Sequence, residues 1–254
     1  MIRIAAAGDI HFDRNSKGRL RPHLQQLKNE ADLLLLAGDL TQTGHMDEAR
    51  ILADDLSDSP VPVVAVLGNH DHHVEQVGDL CGILSSAGVH VLEKQSITID
   101  LGQRTAGIVG LKGFGGGFVG ACASDFGEPE MKMFIRHTKS QAESLRKLLS
   151  ELDTDYKIVL MHYSPVMDTL LGEKKEIYPF LGSYLLAEAI DQGGADIVFH
   201  GHAHRGIEKG ITPGKIPVRN VAQPVIRHVF NLYTLDKKVG IVSHSSLVPR
   251  QLGH

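Results

Sequence analysis

Apolar residues recur along this chain in two rhythms, and the way these alternate lays out most of a fold. Residues 2–7, 33–37, 61–67, 158–160 and 197–199 are short, almost continuously apolar runs. An unbroken run such as 33–36 (LLLL) suits a strand covered on both faces, as in a parallel sheet. Between such runs, residues 20–31 place Leu20, Leu24, Leu27 and Ala31 at spacings of three and four, the stripe of an amphipathic helix. Residues 46–56 repeat the pattern with Met46, Ala49, Leu52, Ala53 and Leu56. Residues 77–87 supply a third helix, followed by Gly88, the residue type favoured just past a helix end. Residues 140–152 carry Ala142, Leu145, Leu148, Leu149 and Leu152 on one face, and 183–193 predict a further helix. The first half therefore reads βαβαβ, which argues for parallel strands with helices outside.

The second half changes character. Residues 96–100, 105–110, 218–221, 228–235 and 239–243 read as short strands joined by turns, with Lys237 and Lys238 forming the turn of a hairpin. This mixture predicts a second sheet packed on the first. No linker, repeat or low-complexity tract divides the chain, so residues 1–254 read as one α/β domain. Residues 243–254 carry no pattern.

One segment stands apart. Residues 110–120 (GLKGFGGGFVG) are glycine-dense, with Phe114 and Phe118 among them. Gly115, Gly117 and Gly120 have dinucleotide-fingerprint spacing, but no helix is predicted to start there and no βαβ unit surrounds them. Two readings stay open: a flexible surface loop, or a loop beside a functional site that sets Phe114 or Phe118 against a base or an apolar group. Residues 125–137 extend the excursion into a long connection before the helix at 140. Long connections are usually functional or disordered, so 110–137 is a candidate substrate-selectivity segment.

The chemistry lies where the apolar runs end. There the chain reads Gly8-Asp9-Ile10-His11, Gly38-Asp39, Gly68-Asn69-His70-Asp71, Met161-His162 and Gly201-His202-Ala203-His204. Carboxylates and imidazoles suit ions such as Mn, Fe, Zn or Ni, whereas Ca and Mg prefer oxygen shells. One carboxylate can bridge two ions about 3.5–4 Å apart, a pair able to clamp a phosphoryl group and lower the pKa of a bound water. The spacings Asp9-x-His11 and His202-x-His204 fit an extended backbone, in which side chains two apart point the same way. The glycines either let the backbone approach the metals closely or simply end the strands.

These blocks, in order and without substitution from Asp9 to His204, resemble the calcineurin-like metallophosphoesterases, whose pattern is D-x-H, G-D, G-N-H-[DE], H and G-H-x-H. The resemblance implies a four-layer αββα sandwich of two mixed sheets flanked by helices. It also implies two divalent or mixed-valence ions: Asp9, His11, Asp39 and His204 would hold one, and Asp39, Asn69, His162 and His202 the other, with Asp39 bridging. His70 would contact the phosphate and protonate the leaving oxygen, while a metal-bound hydroxide attacks phosphorus. The G-N-H-D block, the compact size and the lack of an inserted cap resemble the bacterial cyclic-nucleotide phosphodiesterase-like branch, so a small phosphodiester is the expected substrate. The protein Ser/Thr phosphatase pattern G-D-x-x-D-R-G is absent, since Asp39 leads into Leu40, Thr41 and Gln42. A phosphomonoesterase, a nucleotide pyrophosphatase and a non-enzymatic scaffold built on the metal site remain alternatives.

His72, His73, His90, His137, His200, His228 and His244 match no block and read as ordinary structural histidines. Asp71 could orient His70 or cap the following helix; Asp13 is similarly open. A formal charge of −4 gives no nucleic-acid signal. Cys81 and Cys122 form no C-x-x-C and no disulfide framework, no secretory signal precedes the first strand, and no apolar run approaches the roughly 18 residues of a membrane span. The expectation is a cytoplasmic enzyme; a dimer is compatible with the sequence, which does not fix oligomeric state.

Overall fold

The two rhythms become two six-stranded sheets. The computed structural model describes residues 1–237 and 240–244. Its first half runs β1 (Ile2–Ala7), α1 (Arg21–Glu30), β2 (Leu33–Ala37), α2 (Met46–Leu56), β3 (Val63–Val66), α3 (Val77–Ser86) and β4 (Val89–Val91). Next come β5 (Gln95–Asp100), β6 (Thr105–Leu111), β7 (Gly117–Phe118), β8 (Ala121–Cys122), α4 (Pro129–Glu151) and β9 (Tyr156–Met161). The remainder is α5 (Tyr178–Leu181), α6 (Tyr184–Gly193), β10 (Ile197–His200), β11 (Lys209–Ile211), β12 (Pro217–Asn220), α7 (Gln223–Ile226), β13 (Asn231–Asp236) and β14 (Gly240–His244).

One sheet has the order β14-β13-β1-β2-β3-β4, the other β11-β12-β10-β9-β6-β5. Strands β1 to β4 are parallel, as the βαβαβ rhythm requires, and β13 joins them antiparallel to β1. In the second sheet β12, β10, β9 and β6 are parallel, with antiparallel β11 and β5 at the edges. Both sheets are mixed, as expected.

Strand alternation produces the layers. On β9, Ile158 and Leu160 face the core shared with Leu33–Leu36 of the first sheet, whereas Val159 and Met161 face a second cluster with Leu145 and Leu149 of α4 and Leu186 and Ile190 of α6. Leu24, Leu52 and Leu80 of α1, α2 and α3 pack on the first sheet. The result is helices, sheet, sheet, helices.

Three expectations need correction. The helix predicted from residue 140 starts at Pro129, a residue suited to a first helical turn. Its first half hides because Thr138, a polar residue, occupies a buried position of the stripe. Residues 125–137 are thus mostly helix, not a long connection. The glycine-dense segment is not a flexible surface loop either. Gly115, Gly116 and Gly117 are buried, and Gly116 and Gly117 donate to the carbonyls of Pro179 (2.7 Å) and Gly182 (2.9 Å). Phe118 is 4% exposed in a small core with Leu170, Leu181 and Ala203, so it cannot line a substrate site. Only Phe114 keeps a partly open position.

Antiparallel β13 and β14 form the predicted hairpin, though Lys238 and Val239 of its turn, and the tail at 245–254, lie outside the described residues. Among the described residues no helix is long and apolar enough to cross a membrane.

Candidate metal centre

Five parallel strands, β1, β2 and β3 of one sheet and β9 and β10 of the other, end at one edge. The loops leaving them carry all the sequence-predicted residues, at the crevice beyond strand carboxyl ends where α/β sheets bind ligands. The loops are stitched together. Asp9, His11 and Phe12 donate backbone N–H groups to the carbonyls of Gly38, Asp39 and Leu40, at 2.9, 3.0 and 2.9 Å. The His202 N–H reaches across the sheets to the Asp9 carboxylate at 2.9 Å, and the His70 N–H donates to Asp39 Oδ1, also at 2.9 Å.

Two groups of ligand atoms converge. Those of Asp9, His11, Asp39 and His204 lie within 4.8 Å of one another, as do those of Asp39, His162 and His202. Asp39 belongs to both. Asn69 joins the second group, its Oδ1 3.0 Å from His162 Nε2. All seven predicted ligand residues are therefore brought together, with His70 Nε2 3.9 Å from Asp39 Oδ2.

The donor set fits cations. His162 is wholly buried, and its Nδ1 donates to the Ala37 carbonyl at 3.0 Å. Burial holds the ring below the ordinary imidazole pKa, so it is neutral and Nε2 carries a lone pair. That lone pair faces Asn69 Oδ1 and, at 3.4 Å, Asp39 Oδ1. Nε2, Asn69 Oδ1 and Asp39 Oδ1 thus bring three lone-pair donors together, a set suited to a cation. His202 Nε2 donates to the Phe180 carbonyl at 3.2 Å, which leaves Nδ1 free to bind. His11 Nδ1 is buried without a hydrogen-bond partner.

The electrostatics agree. Asp9 and Asp39 are 2% and 1% exposed. Burial, reinforced by the charge of Asp9, pushes Asp39 up to about 7. Burial works against Asp9 too, yet the hydrogen bond from His204 Nε2 (2.7 Å) and the surrounding imidazoles hold it at about 2. Burial drives His11 down to about 4 and His202 to about 3, which keeps both in the neutral form that binds metal.

The local backbone departs from expectation. Asp9, His11, Asp39 and His202 all have positive φ, at 53°, 43°, 47° and 70°. The D-x-H and H-x-H spacings thus work through left-handed turns, not extended backbone. Such conformations cost on the order of 1 kcal/mol or more each, and they gather where function demands them. Gly68 and Gly201 are there for close approach: a Cβ on Gly68 would collide with the Asp39 carboxylate, and one on Gly201 with Asp9.

Asp71 neither orients His70 nor caps a helix. It is completely buried and accepts from the N–H groups of Leu40, Thr41 and Gly68 and from the Thr41 hydroxyl, binding the Asp39 loop to the Asn69 loop. The group that orients His70 is the Gln42 carbonyl, 2.7 Å from Nδ1. A backbone carbonyl leaves no mark in the sequence. Asp13 accepts from Ser16 Oγ and Asn15 N–H within its own turn. His200, wholly buried, is satisfied by the Gly201 carbonyl and Thr169 Oγ1.

A family model described as calcineurin-like phosphoesterase matches residues 2–206. No curated protein matches the chain. Among solved structures, a phosphopantetheinyl hydrolase from Mycobacterium tuberculosis superposes with a TM-score of 0.59 at 17% identity, covering 86% of this chain and 88% of that one. A putative 5′-nucleotidase from Staphylococcus aureus gives 0.58 at 18% identity, over 96% of this chain and 53% of its own. A phosphatase from Mycoplasma pneumoniae gives 0.55 at 16%, over 95% and 90%. At these identities the likeness is one of fold. The family match spans both candidate ligand groups, and the chain belongs to the calcineurin-like phosphoesterases, metal-dependent hydrolases of phosphoesters.

Proposed function

We propose that this protein cleaves phosphodiesters at two metal ions, with cyclic nucleotides as the first substrates to try. Asp9, His11, Asp39 and His204 hold one ion, Asp39, Asn69, His162 and His202 the other, and His70 acts on the leaving group. The observation that carries this reading is the single buried carboxylate, Asp39, common to both ligand groups and faced by His70. Bound there, a pair of Mn, Fe, Zn or Ni ions supplies Lewis acidity and an activated water.

The chain's own groups supply the rest. The Gln42 carbonyl accepts a hydrogen bond from His70 Nδ1–H, so the ring turns Nε2 toward Asp39. With a proton on Nε2 the ring is a donor to the departing oxygen, work that contributes about 10² to 10⁴ in rate. The Phe180 and Ala37 carbonyls fix the ring planes of His202 and His162. His70 and His204 side chains are 37% and 41% exposed, so both substituents of a diester have room.

The test compares bis-p-nitrophenyl phosphate with p-nitrophenyl phosphate on metal-stripped protein titrated with Mn²⁺, with His70→Ala alongside. The reading expects metal-dependent diester cleavage, and a variant that keeps its metal but loses about 10² to 10⁴ in turnover. Preference for the monoester would overturn the diester assignment.

A further inference from the structure

Beside the metal centre, the Lys112 ammonium has no ion-pair partner and His72 Nε2 no hydrogen-bond partner among the described residues. Lys112 directly follows β6, on the edge where β9 delivers His162, and its carbonyl accepts from both His162 N–H and Tyr163 N–H at 3.0 Å. Its side chain is half-buried, and the ammonium sits 5.9 Å from the centre of the Phe114 ring. Burial draws its pKa below the ordinary lysine value, against the pull of Glu93, Asp39 and Asp71. Those carboxylates are within electrostatic reach, yet among the described residues none comes within the 4.0 Å of an ion pair. A lysine recruited to neutralise one of them would be in contact with it; Glu93 instead accepts from the Leu67 N–H.

The second group is His72, on the 3-10 turn that follows Asn69. Its Nε2 is buried and unpaired, and the ring feels the charges of Lys112, His162 and His137. A buried polar atom left unpaired costs about 1–3 kcal/mol, so one retained three residues past Asn69 invites a partner from outside the chain. The surroundings of Lys112 are aromatic. Phe114 packs edge-on against His137 at 4.6 Å and lies 5.8 Å from Tyr163, whose ring is 4.4 Å from His202. A point cation, a hydrogen-bonding imidazole and an aromatic wall, on the His162 side of the centre, are suited to a phosphate carried on an organic group.

We propose that Lys112 and His72 form an anion subsite that takes a second phosphate of the substrate, next to the phosphoryl group bound at the metals. The inference rests on the metal-site reading above and narrows its substrate class to phosphodiesters that carry an additional phosphate, ahead of simple cyclic nucleotides; the adenosine bisphosphate below is a probe of second-phosphate binding, not a substrate.

Calorimetry on the Mn²⁺-loaded protein tests it, with adenosine 5′-monophosphate and adenosine 3′,5′-bisphosphate as probes. The bisphosphate should bind more tightly by roughly tenfold to a hundredfold, the range of charge-assisted hydrogen bonds. Lys112→Met and His72→Phe should each shrink that ratio toward one, whereas Lys112→Arg, which keeps the charge, should retain most of it. Lys139→Met, at a lysine paired with Asp125 on the outer surface, should leave the ratio as in the parent. Equal affinity for the two nucleotides in the parent protein, or a ratio that survives in both Lys112→Met and His72→Phe, overturns the subsite. Failure to cleave bis-p-nitrophenyl phosphate would instead strike the metal-site reading, and the binding ratio would still decide the subsite.

Discussion

Replacing Asp71 with Asn should unpick the metal centre without touching a ligand. The two carboxylate oxygens divide four donors between them: Thr41 N–H (2.8 Å) and Thr41 Oγ1 (2.6 Å) go to Oδ1, Gly68 N–H (2.8 Å) and Leu40 N–H (3.1 Å) to Oδ2. The amide keeps one acceptor and turns the other into an NH₂ donor. With its NH₂ at the Oδ1 position the amide orphans the Thr41 N–H, because the Thr41 hydroxyl can rotate to accept; the other way round it orphans the Gly68 and Leu40 N–H groups. Each orphaned buried group costs about 1–3 kcal/mol, so the gross penalty in the better orientation is about 1–3. Removing a buried charge gives part of this back, because burial and the neighbouring Asp39 already push the Asp71 pKa upward. The net expectation is a loss of about 1–2 kcal/mol in urea unfolding of the metal-free protein. Since Leu40 and Thr41 adjoin Asp39, and Gly68 adjoins Asn69, metal content by mass spectrometry should fall below two ions per chain at limiting Mn²⁺. An Asn variant with the parent's urea midpoint and its full metal content would refute this account.

Other substitutions separate the parts of the site. Asp39→Ala should abolish binding of both ions, whereas His11→Ala should spare the group formed by Asp39, His162 and His202; equilibrium dialysis with Mn²⁺ distinguishes these outcomes. Gly68→Ala should cost metal affinity through backbone displacement alone, because its Cβ would overlap the Asp39 carboxylate; unchanged binding would show that the loop yields freely. The cysteines should differ in reactivity. Burial and the nearby Glu93 and Asp71 push the Cys81 thiol up to about 11, so its thiolate is only about one part in a thousand at pH 8. Exposed Cys122 should therefore react promptly with a disulfide reagent at pH 8, with Cys81 following only near pH 10–11 or on unfolding.

Which parts of the molecule the sequence disclosed follows from how local their causes are. Strand β2 and helix α2 could be read because burial on both faces, or on one stripe, is written in their own residues. The first half of α4 could not, since Thr138 is buried to donate to the Gly115 carbonyl, a partner far away in the chain. The glycine segment misled for a related reason: its burial is set by Pro179, Gly182 and Ser183, not by its own side chains. The ligands were legible as residue types, because coordination chemistry admits few. Their left-handed backbone was not, because Asp and His take either sign of φ and only the surrounding hydrogen bonds decide. The role of Asp71, which sequence left between orienting His70 and capping a helix, and that of Lys112 depend on the gap between two strand ends, which no stretch of sequence contains.

The centre draws its ligands from both sheets, and that division bears on when it can form. Asp9, His11, Asp39 and Asn69 leave the ribosome early, but Asp9 and His204 are separated by 195 positions. Neither ligand group is complete until the chain has been made through β10 and beyond, so an ion cannot template the first sheet as it emerges. It can only fasten two sheets that have already met. Metal held at a hundred times its dissociation constant then adds about 2.7 kcal/mol per site to the closed pair of sheets. A cell short of the right ion would thus accumulate protein that is folded but unfastened, and any mutation loosening the core between the sheets would register first as a weaker grip on metal.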